Sequence, residues 1–174
     1  MASDDQNFAA GSVDLLKIMM LTGAAIGIFS VFQLWFLDNY TFLPFEYTGF
    51  DFFMRNQPYP ESGYFMYMPL VVLIAAAAAV IPALSTFVKR EKEGAIAGAS
   101  LGMVMLAAVV LYVTYPLTRL RFSNAAMIME ADIKLIDYID AGVYSAITAS
   151  VLLIVGGIVI LLHRMAASRS KKEE

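Results

Sequence analysis

The chain has 174 residues, a formal net charge of −3 and no cysteine; 60% of it is hydrophobic and its mean hydropathy is +0.69. Soluble domains are roughly 45–50% apolar, so the excess points to a bilayer rather than to a larger core. The missing cysteine excludes disulfides, thiolate metal sites and cysteine nucleophiles, and no nucleic-acid partner is expected.

Residues 1–12 are small and polar and read as a frayed or short interfacial segment. The first apolar stretch, 15–37, carries one charge, Lys17. It is longer than the roughly 7–15-residue core of a signal peptide, and Asp4, Asp5 and Asp14 precede it where a basic cluster would be expected. It is therefore predicted to be a spanning helix. Gly23 and Gly27 in it have GxxxG spacing, and Trp35 and Tyr40 fall where an aromatic belt would hold its outer end.

The outer segment 38–68 follows. Between Trp35 and Tyr67 lie 13 of the chain's 22 aromatic residues. Pro44, Pro58, Pro60, Gly49 and Gly63 break the segment into short pieces. It could be a ligand site, a segment lying on the membrane, or a small folded cap. A cap is favoured, because so many rings exposed to water would be an aggregation hazard. Trp35, Phe45, Tyr47, Phe50, Phe52, Phe53, Tyr64 and Phe65 are its candidate interaction residues.

The second and third spans are predicted at 69–88 and 95–116, both uncharged between Pro69 and Phe87 and between Ala95 and Pro116. Pro69 opens the second span where a missing N–H costs little, and Pro82 is its one interruption, expected to kink the helix. The "VKREKEG" turn between them is short, which makes these spans antiparallel neighbours. Gly94, Gly98 and Gly102 form a GxxxGxxxG run in the third span. Such faces serve close backbone approach, either between helices of one chain or between copies. Four helices in one chain need internal contacts first, so intrachain packing is the expectation.

The second outer segment, 117–140, contains no proline after Pro116. Helix four is predicted to begin near Asn124–Ala126, well before the membrane, with Ile128, Leu135, Ile136 and Ile139 as a docking surface for the cap. Asp132, Asp137 and Asp140 read as a solvated acidic face, since they do not match a calcium-loop spacing. The fourth span, 141–162, carries small residues at Gly142, Ala146 and Ser150. His163 is the one histidine, which excludes a multi-histidine metal site or bis-histidine haem within this chain. Each of the four stretches meets the roughly 18–20 residues that a spanning helix needs.

Lys17, Lys89, Arg90, Lys92, Arg164, Arg169, Lys171 and Lys172 fall on one side of this layout, and Arg55, Arg119, Arg121 and Lys134 on the other. Cytoplasmic loops carry the excess of Lys and Arg, so both termini are expected in the cytoplasm, with the plasma membrane as the location. Asn39-Tyr40-Thr41 fits the glycosylation pattern but lies close to the membrane and reads as unmodified.

The fold class is thus an all-α integral membrane protein: an antiparallel bundle of four transmembrane helices with a small extracytoplasmic cap. With inner termini and its aromatic segment between spans one and two, the layout is similar in topology to claudin-like and tetraspanin-like membrane proteins. The cysteine patterns of both are missing, so no family and no functional residue is carried over. Proton relays and ion-coupled transport need ionisable groups at mid-membrane depth, and the spans offer none. Catalytic motifs and cofactor motifs are also missing. The expectation is a non-catalytic protein acting through the bilayer, other membrane subunits or self-association, with a small transporter or channel as the alternative. A lipid-binding role for Arg119, Arg121 and the cap is a third possibility.

Overall fold

A computed structural model of the chain describes residues 2–38, 45–54, 64–88, 90–114 and 139–173. The elements run α1 (Ala2–Ser30), β1 (Leu34–Asp38), β2 (Phe45–Thr48), α2 (Gly49–Met54), a 3-10 turn (Tyr64–Tyr67), α3 (Met68–Ser85), α4 (Glu91–Val113) and α5 (Ala141–Glu173). Within the four long helices, Val13–Ser30, Met68–Ser85, Glu91–Val113 and Ala141–Arg169 are long and apolar enough to cross a membrane. Only 33–39% of each stretch is buried inside the protein. What faces outward is nonetheless apolar, including Phe29, Ile74, Ile81, Met103 and Val155. In water such a surface would aggregate; in lipid it is the ordinary outer face.

Helix α1 packs on α3 and α5, and α4 packs on the same two. The centre is filled by Met20 and Ala24 of α1, Ala76 of α3, Met105 and Val109 of α4, and Ala149 and Leu153 of α5, all buried. Small residues line the inner faces because, in lipid, helices gain mainly by close van der Waals approach.

Hydropathy carries the first span to Leu37, but the helix ends at Ser30 and Leu34–Asp38 is a strand. The cause is local. The Ser30 hydroxyl donates back to the Gly27 carbonyl at 2.7 Å, and the N–H groups of Phe32 and Gln33 tighten the end with bonds to the carbonyls of Phe29 and Ser30. The carbonyls beyond need partners. The N–H groups opening α2 supply them: Phe50 donates to Val31 at 2.8 Å and Gly49 to Gln33 at 3.2 Å. Each terminus therefore satisfies the other.

β1 pairs antiparallel with β2, Leu34 opposite Thr48 and Phe36 opposite Tyr47, which leaves Trp35 as the extra residue of a bulge. In a regular strand neighbouring side chains point to opposite faces. The bulge lets Trp35 and Phe36 both turn inward, and they are 0% and 5% exposed. Thr48 then caps α2. Its hydroxyl and N–H both donate to the Asp51 carboxylate, at 2.7 and 3.0 Å, and the Asp51 N–H donates back to the hydroxyl at 3.2 Å.

Helix four, expected to start near Asn124–Ala126 and run on into the span, instead begins at Ala141: Ile139 and Asp140 are not helical, and the Asp140 carbonyl accepts from the N–H groups of Val143 and Tyr144 in the first turn of α5. Segment 124–138, with the docking residues Ile128, Leu135 and Ile136, lies outside the described residues. Ile139 does form a bridge to Phe36 of β1, just ahead of α5.

Candidate functional site

At the Trp35 end the hairpin and α2 close over the bundle. The indole N–H donates to the Ser30 carbonyl at 2.8 Å, occupying one of the last acceptors of α1. Its ring meets Tyr112 edge-on, centroids 5.1 Å apart at 86°, and the Tyr112 hydroxyl donates to the Trp35 carbonyl at 3.3 Å. Ring contacts continue from Tyr112 to Phe52 (5.9 Å), Phe52 to Tyr47 (6.0 Å) and Tyr47 to Phe36 (6.2 Å). These rings are the interior of the cap. Trp35–Tyr112 and Phe52–Tyr112 are edge-to-face, and such pairs are each worth about 0.5–1.5 kcal/mol beyond the area they bury.

The belt position expected for Trp35 is therefore corrected: the ring is fully buried. Tyr47 and Phe52 are buried with it, and these rings hold the cap together and fasten it to the bundle through Ser30, Tyr112 and Gly142. Phe50 and Phe53 lie at its flank, half-buried, where Phe50 stacks on exposed Phe32 (5.6 Å, 24°) and Phe53 meets Phe50 edge-on (4.8 Å). Phe45 pairs through its backbone with Asp38, and Tyr64 and Phe65 sit in the 3-10 turn; the side chains of these three lie outside the described set. Burial, and then the neighbouring Asp51 charge, push the Tyr47 phenol above its ordinary value.

The small residues meet helices of the same chain. A Cβ on Gly23 would stand 2.9 Å from the Ala149 carbonyl oxygen, on Gly27 2.6 Å from the Met105 methyl, and on Gly102 3.0 Å from the Ser150 oxygen. On Gly94 it would stand 2.6 Å from the Pro82 oxygen, whereas on Gly98 it would strike only the end of the Met20 side chain. Ala146 and Ser150 are fully buried in the same seams. Gly142 does something else: it seats the indole, and its Cβ would fall 2.6 Å from Trp35 Nε1 and 2.8 Å from the Ser30 oxygen. Gly156 and Gly157 fit no GxxxG frame, so spacing does not mark them. A Cβ on Gly157 would lie 2.5 Å from the Ala95 carbonyl oxygen, the closest helix approach to backbone in the set. Their signal was the Gly-Gly pair in the middle of an otherwise bulky span.

The opposite end holds a charge cluster. Lys17 Nζ lies 3.1 Å from Asp14 Oδ1 and 3.0 Å from Glu91 Oε1, with the Lys17 side chain only 10% exposed and that of Glu91 16%. Arg164 donates through Nε to the other Glu91 oxygen at 2.6 Å, and through Nη2 to that same oxygen. One carboxylate thus receives cations from α1 and α5. Glu91 opens α4, where the positive end of the helix dipole adds to its stabilisation. Two cations face two carboxylates, and that balance makes the burial tolerable.

No protein-family model, curated protein or solved structure matches the chain. Its chemistry is therefore read from its own atoms. Among the described residues the buried polar side chains are Lys17, Ser30, Thr86 and Ser150. Lys17 is ion-paired, and the three hydroxyls donate to the carbonyls of Gly27, Ala83 and Ala146 of their own helices.

Proposed function

We propose that the protein is a non-catalytic, multi-pass integral membrane protein that works through contacts with other membrane proteins, as a scaffold or as an accessory subunit of a larger complex. Its four helices form an antiparallel bundle across the plasma membrane with both termini in the cytoplasm. The supporting observation is the state of the interior: among the described residues Lys17, Ser30, Thr86 and Ser150 are each bonded within the chain, and the space between the helices is filled by Met20, Met105 and Leu153. A transport path or a reaction centre works through polar groups that a substrate can reach. Here those groups are spent on holding the bundle together, and the aromatic cap seals one end of it. Such a body offers other proteins a rigid lateral surface.

The test is purification in mild detergent after cross-linking in native membranes, with flux measured on the reconstituted protein. A stoichiometric membrane partner or a defined self-assembly, together with leakage no greater than that of empty liposomes, is the expected result. A lone monomer with no cross-linked neighbour, or solute flux through the reconstituted protein, would sink the proposal.

A further inference from the structure

We infer that the flank of the cap, formed by Phe32, Phe50, Phe53 and Met54, lies in the interfacial layer of the bilayer and takes lipid as its partner, rather than standing in water. This rests on the helices crossing a membrane, not on the scaffold role.

The first observation is continuity. Residues 15, 18, 22, 25, 29 and 32 are exposed, a spacing that keeps one stripe along α1 turned away from the bundle. Leu15, Ile18, Phe29 and Phe32 in it are 52–67% exposed. The stripe does not stop at the helix end. Phe50 stacks on Phe32, and Phe53 meets Phe50 edge-on, so the outward side of α2 prolongs the lipid-facing side of α1.

Length gives the second. The ion pairs of Lys17 with Asp14 and Glu91 mark the charged end of the bundle, and at about 1.5 Å per residue the helix from Lys17 to Ser30 rises only about 20 Å, against a hydrocarbon core about 30 Å thick. Counted from that charged end, α1 stops before the hydrocarbon does. The residues that follow it therefore sit at the boundary layer, not beyond it.

The chemistry of the flank agrees. The only charge on α2 is Asp51, whose carboxylate is taken up by Thr48. Around the same end, Tyr67 before α3 and Tyr144 in the first turns of α5 are 43% and 58% exposed. Exposed rings with a polar tip, at the same end of two helices, suit head-group depth. These residues, not Trp35, supply the aromatic belt.

Because the chain has no cysteine, single nitroxide labels test this directly. Labels are placed through Phe32→Cys, Met54→Cys and Tyr144→Cys, with Ala77→Cys near the middle of α3 and Lys92→Cys as references, all at exposed positions. Unfolding temperatures of the labelled proteins confirm that each is folded. In liposomes, the ratio of oxygen to water-soluble nickel accessibility at 32, 54 and 144 is expected to fall between the high value at 77 and the low value at 92. Nickel accessibility at 32 and 54 equal to that at 92 would place the flank in water and overturn the proposal. Low accessibility to both reagents would overturn it too, showing that a second copy or another subunit covers the flank. If position 77 were itself open to nickel, the membrane placement of the bundle would fall instead.

Discussion

At single positions, the consequence of adding a methyl group depends on which atom it meets. Gly157 faces a backbone oxygen of Ala95 at 2.5 Å, which moves only if the helix moves, whereas Gly98 faces the free end of Met20. Overpacking a close helix contact costs about 1–3 kcal/mol. Gly157→Ala should therefore lower stability by that amount, while Gly98→Ala should stay within about 1 kcal/mol because Met20 can change rotamer. Denaturant unfolding in micelles, followed by circular dichroism, measures both. Equal losses would contradict the described helix approach. A second residue-scale expectation concerns Tyr47, whose phenol is raised above 10.0 by burial and then by Asp51. The folded state holds the proton more tightly than the unfolded state does. Stability from this group is intact below pH 10.0 and falls as pH rises past it, when the unfolded chain ionises first. In Tyr47→Phe the alkaline loss above pH 10.0 should be shallower than in the wild type. Parallel slopes would show that Tyr47 does not contribute.

Among the elements, the joint between α1, α4 and α5 at the Lys17 end carries the clearest expectation. Removing the Glu91 charge leaves Lys17 with Asp14 alone and Arg164 without its acceptor. Breaking a buried pair costs about 3–5 kcal/mol, and an exposed pair is worth about 0–1 kcal/mol. Glu91→Gln should fall between these limits, since Glu91 is 16% exposed but Arg164 55%. Arg164→Gln should cost no more than about 1 kcal/mol. The double variant Lys17→Met with Glu91→Leu should recover much of the loss, because neither side chain then leaves a buried charge. If the double variant were as unstable as the two singles combined, the pair would not be coupled. This joint was hidden in the sequence. Glu91 sits in "KREKEG", where every charge looks solvated, and its partner Arg164 is 73 residues away. The strand β1 was hidden for a different reason. Leu34–Asp38 is as apolar as the helix before it, and the bulge that turns both Trp35 and Phe36 inward removes the alternation that marks a half-buried strand.

At the scale of the molecule, the four apolar stretches were legible because hydropathy averages over a whole span and does not depend on any one contact. The glycine spacings pointed to helix faces for the same reason, while the seat that Gly142 gives to Trp35 required the third dimension. Orientation is the remaining whole-molecule property, and it follows from cation placement. In the sequence layout Lys17, Lys89, Arg90, Lys92, Arg164, Arg169, Lys171 and Lys172 are expected on one side, against Arg55, Arg119, Arg121 and Lys134 on the other. Acidic residues at either end contribute little to the rule, so the excess of Lys and Arg sets the direction. The Lys17 end is thus expected to face the cytoplasm and the cap to face outward. With a cysteine-free chain, Lys92→Cys and Glu46→Cys report the two ends without interference, and both positions are exposed. In intact cells a membrane-impermeant maleimide should label position 46 and leave position 92 untouched until the membrane is permeabilised. Labelling of position 92 in intact cells, with protection of position 46, would invert the topology. It would also mean that the α3–α4 turn, with Arg90 and Lys92, had crossed the membrane against the direction its charge favours.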